Sequence, residues 1–156
     1  MTGLTVLVDA DACPVKEEVY RVALRHDVAV VIVANSYIRI PEHRLVSRQI
    51  VTDGFDAADD WIVEASGPAS LVITADILLA QRALEKGARV LSPTGKPFTD
   101  ASIGNAVAVR AIHADLRAGL GEGAPRGAPP FTKQDRSRFL GAMDTALVAL
   151  KKAAGG

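Results

Sequence analysis

Asp9 and Asp11 are the residues of this sequence best placed to do chemistry. They end the apolar run Thr5-Val6-Leu7-Val8 and are separated by Ala10 alone. The run reads as a buried strand, and a helix is expected to start near Pro14, a residue suited to a first helical turn. A strand that passes so quickly into a helix ends at the carboxyl edge of an open α/β sheet, where such folds bind ligands. With Asp9 still extended, both carboxylates reach one spot just beyond the strand. Two carboxylates there repel each other and shift each other's pKa unless a cation lies between them. An all-oxygen donor set selects a hard cation, Mg²⁺ or Mn²⁺. The plainer reading of Asp11 is a cap for the helix that follows.

Two further strand ends carry acid. Asp76 follows the apolar run 70–75, and Asp53-Gly54-Phe55-Asp56-Ala57-Ala58-Asp59-Asp60 follows the run 45–52. Asp56, Asp59 and Asp60 fall at i, i+3 and i+4, so they share one face of a helix's first turns. A helix N-terminus also favours carboxylates through its dipole. In a doubly wound sheet these ends lie on one edge, with the first strand central and next to the second and fourth. Carboxylates converging there would repel when empty and would bind one or two divalent ions, which activate water for phosphodiester cleavage. Each acid also has a plainer reading. Asp56 and Asp76 can cap helices, and Asp59 and Asp60 can form a solvated face, Asp60 more so because it points further from the apolar stripe.

Other polar residues flank the same edge. Asn35 and Ser36 follow the second strand, Thr74 ends the fourth, and Lys16 opens the first helix. These four are the candidates for substrate binding, against plainer readings of Thr74 and Ser36 as sheet residues and of Lys16 as solvent-facing. Cys13 stands at a helix start without a partner histidine and reads as a packed small residue.

The elements that must position these groups alternate regularly. Strands are expected over 4–9, 28–34, 45–52, 70–75 and 88–91, and helices over 14–26, from after the Gly54 turn to about Ser66, and over 77–86, 101–118 and 133–152. The first helix buries Val15, Val19, Val22 and Ala23. The second buries Ala58, Trp61, Ile62 and Ala65, and the fourth turns Ile112 and Leu116 inward. Thr132, with Asp135 three residues on, forms a capping box for the last helix. The Gly- and Pro-rich stretch 119–131 is an irregular connection. The expected fold is α/β with three layers, α/β/α, around a mostly parallel sheet of about five strands.

The chain's 156 residues suit one domain, 1–156, and with 4% aromatic residues its core must be aliphatic. Zero formal net charge argues against a protein held on nucleic acid by bulk charge alone, though not against a local basic face. Arg21, Arg25, Arg39, Arg44, Arg48, Arg110, Arg117, Arg126, Lys133, Arg136 and Arg138 are the cations available to such a face. A single cysteine permits no internal disulfide and points to the cytoplasm. The scattered His26, His43 and His113 give no zinc spacing. Neither a signal peptide nor a membrane span is expected.

Five motifs resemble the bacterial YaiI/YqxD family: DADACPVK at 9–16, DGFDAADDWI at 53–62, VITADILLA at 72–80, KGARVLSPTGKPFT at 86–99 and TKQDRSRF at 132–139. The resemblance covers nearly the whole chain. It implies a PIN-like or NYN-type nuclease fold, whose acids bind Mg²⁺ or Mn²⁺ and cut RNA. Carried over residue by residue, the metal ligands fall on Asp9, Asp56 and Asp76, with Asp11 and Asp59 completing the catalytic set. The chain departs from the family pattern at Leu78, Thr94 and Ser102, where proline, arginine and asparagine are usual, and in its longer GEGAPRGAPPF segment. None of these departures touches the aspartates. Because fold does not fix function, the resemblance speaks for the fold more than for the activity.

Three other readings compete. The hhhhDxD opening also suits a haloacid-dehalogenase-type phosphohydrolase, although those enzymes follow it with Gly-Thr and a flap rather than a helix. Asp9, Asp53, Thr74 and Lys96-Pro97 imitate the order of a receiver domain, but Lys96 lies five residues past Leu91, too far to sit at the strand end. A non-catalytic RNA- or protein-binding module would keep the metal site for structure alone.

Overall fold

The structure is a computed structural model that describes residues 3–11, 13–52, 54, 56–120 and 130–155, the side chains of 113–120 excepted. Its elements in chain order are β1 Thr5–Asp9, α1 Lys16–Arg25, β2 Ala29–Ala34, β3 Val46–Ile50, α2 Ala57–Ala65, β4 Ser70–Ile73, α3 Ile77–Glu85, β5 Arg89–Leu91, β6 Pro97–Phe98, α4 Asp100–Leu120 and α5 Lys133–Gly155. The sheet has six strands in the order β3-β2-β1-β4-β5-β6. Every pairing is parallel except that of β5 with β6.

Side chains alternate across each strand, so the sheet divides its apolar residues between two cores. Val6 and Val8 of β1, Val30 and Ile32 of β2, and Leu71 and Ile73 of β4 face α1 and α5. Leu7, Val33, Val72 and Val90 face the opposite way, toward α2, α3 and α4. The result is the expected three-layer α/β/α arrangement. On the first face, α5 supplies the fully buried Phe139, Met143 and Leu147, with Leu150 one turn further. That spacing, close to four residues, is a single helical stripe.

Polar contacts fix α5 against α1 along its length. Arg136 Nη1 donates to Glu18 Oε1 at 2.8 Å and to the Pro14 carbonyl at 3.1 Å, so the buried Glu18 carboxylate is paired. Asp144 Oδ1 lies 2.7 Å from His26 Nε2 and 2.8 Å from Arg25 Nη2. The Thr132 capping box forms as the sequence implies: the Thr132 amide donates to Asp135 at 3.0 Å, and the Asp135 amide donates to Thr132 Oγ1 at 3.0 Å. The Thr132 amide is the main influence holding the Asp135 carboxyl below its usual range.

Several expectations need correction. The sheet gains a sixth strand, β6, too short at two residues to leave a periodic pattern. The turn before it requires glycine at position 95. Gly95 has φ of +88°, and a Cβ there would meet the Arg138 backbone of α5 at 2.8 Å. Ile112 is not on the inner face of α4 and is 57% exposed. The helix packs instead through Ile103 and Val107, and at about 100° per residue Ile112 falls roughly opposite Ile103. Ala65 is exposed at the end of α2, while Ala58 and Ile62 are buried and Trp61 is half-buried. Asp53, the Leu116 side chain and most of the 119–131 connection lie outside what the structure describes. Among the described residues, no helix is long and apolar enough to cross a membrane.

Leu147→Ala should destabilise the fold by about 2–5 kcal/mol, because it empties a filled site between α5 and the sheet. Val148→Ala, one residue along on the exposed side, should change stability by less than about 0.5 kcal/mol. Urea denaturation of the two variants tests this assignment of the helix face.

Candidate functional site

Asp9 is the last residue of the central strand, in register with Val33 of β2. Residues of the same parity, Leu7 and Val33, face α2 and α3, so the Asp9 side chain leaves the sheet on that side. One step past the β1–β4 pair Val8 and Ile73, Thr74 stands beside it. Its Oγ1 donates to Asp9 Oδ2 at 2.9 Å. The same hydroxyl accepts the Asp76 amide at 3.0 Å. Asp76 caps α3, its Oδ1 accepting the amides of Leu78 at 2.9 Å and Leu79 at 3.1 Å. One buried hydroxyl therefore links the acids that follow β1 and β4. Its only proton is committed to Asp9, which makes Thr74 a positioning residue rather than a donor to substrate.

Asp11 lies past the strand end and is exposed, and Asn35 at the end of β2 donates to its Oδ2 at 3.2 Å. This contact spends Asn35 on the acids from the side opposite Thr74. The plainer reading of Asp11 as a helix cap fails, since α1 starts, with Val15 at its N-cap position, without a side-chain cap bond. Lys16 is half-buried, with Nζ on the Cys13 carbonyl at 3.0 Å. Cys13 is buried, as expected of a packed residue, and burial pushes its thiol up. Ser36 is exposed on the loop after β2.

Helix α2 brings the third group of acids. Asp56 occupies its N-cap position without making a side-chain cap bond, so its carboxylate is not spent there. Asp59 is half-buried, one turn into the helix. Burial, followed by the carboxylates of Asp76, Asp9 and Asp56, pushes its pKa up to about 6, against a smaller opposing pull from Arg82. Asp9 is likewise raised, first by burial and then by Asp11 and Asp76, while the Thr74 hydroxyl works in the other direction. Acids from three separate segments thus press on one another at the carboxyl edge of the sheet. Asp60 points away, as its place on the helix implied, and pairs with Arg82 at 2.8 Å.

The donor set is entirely oxygen, which suits a hard cation. Among the described residues, no three His, Cys, Asp or Glu side chains form a ready-made cage for a metal. Mg²⁺ needs no such cage, because it keeps most of its waters and is typically held by one or two carboxylates. Asp9, Asp56 and Asp76 are the carboxylates from which that one or two could come, with Asp59 beside them. The spacing of acids in the sequence pointed to this edge. The linking role of Thr74 left no local signal, since its partner lies 65 residues away in sequence.

Two outcomes follow. Thr74→Val keeps the side chain's shape but removes the hydroxyl, so it should cost about 1–3 kcal/mol in denaturant and raise the Asp9 titration point further. The Asp59 carboxyl shifts from 3.8 to about 6 on folding, so the metal-free folded state holds its proton more tightly than the unfolded state. Stability from this group is therefore fullest below pH 3.8 and declines as pH rises to about 6. Asp59→Asn should lack that decline, which denaturation curves at pH 4.5 and pH 7 would measure.

The model of the family described as "Uncharacterized BCR, YaiI/YqxD family" matches residues 7–149. A UPF0178 protein of Sphingopyxis alaskensis is 64% identical over 152 residues, covering 97% of this chain and 98% of its own. UPF0178 proteins of Nitrobacter winogradskyi and Brucella ovis are 53% and 55% identical, covering 98% and 96% of this chain and 96% and 92% of theirs. No solved structure matches the chain. The acids, the hydroxyl that links two of them and the sheet edge that carries them all lie within the matched span, and the chain belongs to the YaiI/YqxD family.

Proposed function

We propose that the protein is a divalent-metal-dependent nuclease that hydrolyses phosphodiester bonds, with RNA as the substrate. The observation that carries this reading is the convergence of Asp9, Asp59 and Asp76 at one sheet edge, where burial and then the neighbouring carboxylates raise Asp59 to about 6. Crowded carboxylates raise each other's pKa, and a cation between them removes that cost. Asp9, Asp56 and Asp76 are the proposed ligands of Mg²⁺ or Mn²⁺, with Asp11 and Asp59 assisting. The bound cation supplies charge neutralisation at the phosphate and acidifies a water.

The chain's own groups do the rest. Thr74 holds Asp9 Oδ2, and the Asp11 backbone amide also donates to the Asp9 carboxylate. The α3 amides hold Asp76 Oδ1 and leave Oδ2 free. Both carboxylates are therefore held by hydrogen bonds where they enter the cleft, which orients them without further ordering cost. Asn35 steadies Asp11 from the β2 side. Lys16 is near enough in sequence to meet a substrate phosphate if its ammonium leaves the Cys13 carbonyl. Ser36, exposed on the loop, is a further polar contact for the strand.

Asp9→Asn and Asp76→Asn test this reading cleanly. Asparagine still accepts from the Thr74 hydroxyl at position 9, and at position 76 it remains a good helix cap. Both variants should stay folded, lose Mn²⁺ binding by calorimetry and lose metal-dependent RNA cleavage. Metal affinity of the wild type should strengthen as pH rises through about 6, because Asp59 must give up its proton. If both variants cut at the wild-type rate, the proposed site is wrong. Metal binding without cleavage of any RNA would leave the acids a structural role.

A further inference from the structure

Beside the carboxylate edge, the connection from β2 to β3 builds a surface of different character. Tyr37 is 72% exposed, the most exposed of the large apolar side chains described. Arg48 of β3 lays its guanidinium over the ring, 4.6 Å from the centroid. The pair borders a groove of about 580 Å³ shared with Arg39, Ile40, Glu42 and His43. No ion pair engages Arg39 or Arg48 among the described residues, whereas neighbouring Arg44 is paired with Asp27 at 3.9 Å. Glu42 is the one acid in the groove lining.

The groove meets the acids only around the carboxyl end of β2, because Arg48 is in register with Ile32 and so stands on the α1 and α5 face, whereas Asp9 leaves the sheet on the α2 and α3 face. Asn35, two residues before Tyr37, donates to Asp11, and two residues span at most about 7 Å. We propose that this groove binds single-stranded nucleic acid, with one base stacked on the face of Tyr37 that Arg48 leaves open and the flanking phosphates against Arg39 and Arg48. The inference rests on reading the carboxylate edge as a phosphodiester-cleaving site, for which the groove is the adjoining strand-holding surface. An aromatic ring backed by a guanidinium is a platform for an unstacked base, which a duplex does not offer. Unpaired arginines supply the phosphate contacts that the chain's zero net charge cannot supply in bulk. An acidic peptide would satisfy the arginines but leave the exposed ring face without a partner.

The test uses the full chain in EDTA, so that binding is read without cleavage. Fluorescence anisotropy would follow a short labelled oligouridylate, its deoxythymidylate counterpart and a labelled oligoglutamate. Both oligonucleotides should bind, with tighter binding of the ribose form assigning the groove to RNA and equal binding assigning it to any single strand. Tyr37→Ala should weaken oligonucleotide binding about tenfold, while Tyr37→Phe, which keeps the ring, should bind like wild type. Arg48→Ala should weaken binding and reduce its salt dependence. The proposal is overturned if Tyr37→Ala binds as tightly as wild type, or if oligoglutamate binds as well as the oligonucleotides. Its failure is separable from that of the nuclease reading. Binding that depends on Tyr37 in a protein that never cleaves RNA keeps the groove and removes the nuclease. Cleavage unaffected by Tyr37→Ala does the reverse.

Discussion

A strand that is paired on both sides and covered on both faces has no room for a polar side chain until it ends. β1 meets that description, lying between β2 and β4 with one core on each face. Its first acid, Asp9, therefore comes at the sheet edge, and its alternation sets which face that acid takes. Everything else at the edge is placed relative to it. Thr74 arrives beside it through the register of β4, Asp76 through the hydroxyl of Thr74, and Asp59 through the packing of α2 over β1 and β2. The arrangement brings like charges together, which no fold needs for stability. Sites where local stability rules are broken are where function is expected.

The order and type of the main elements were legible because the buried parallel strands are apolar on both faces. Runs such as Val28-Ala29-Val30-Val31-Ile32-Val33-Ala34 carry that signal in a few residues. The position of each acid after a strand was legible for the same reason. Less visible was anything set by contacts between distant segments. Thr74 reads locally as a sheet residue, and only the pairing of β1 with β4 gives it two acids to join. Asp56 sits where a cap is expected yet makes no cap bond, because its conformation there (φ −102°, ψ 15°) differs from the extended one of Asp76 (φ −79°, ψ 110°). Ile112 misled because apolar residues recur around α4, and periodicity alone did not say which of them meet α3.

Charge follows the same division. Over the whole chain it sums to zero, but its distribution is uneven. Acids gather past β1 and β4 and on the start of α2, while Arg39 and Arg48, engaged in no ion pair among the described residues, stand beyond β2 and on β3. The two regions meet at Asn35, whose side chain touches an acid and whose backbone leads into the loop carrying Tyr37. A phosphate chain crossing from one to the other would pass from attraction by fixed cations to repulsion by carboxylates. That asymmetry gives a direction to the surface that net charge does not express.

The two borders of the sheet carry a different lesson. The inner strands, short and rich in valine and isoleucine, are the kind of segment that stacks with copies of itself when exposed. The border at β3 places Arg48 in the strand, and the border at β6 is a two-residue antiparallel piece that opens with Pro97. Charge and proline at an edge are how natural sheets refuse further strands. Gly95, by letting the turn sit against α5, is what brings β6 into that place. A glycine far from the acids thus helps set which segment, short and opened by proline, forms that border of the sheet.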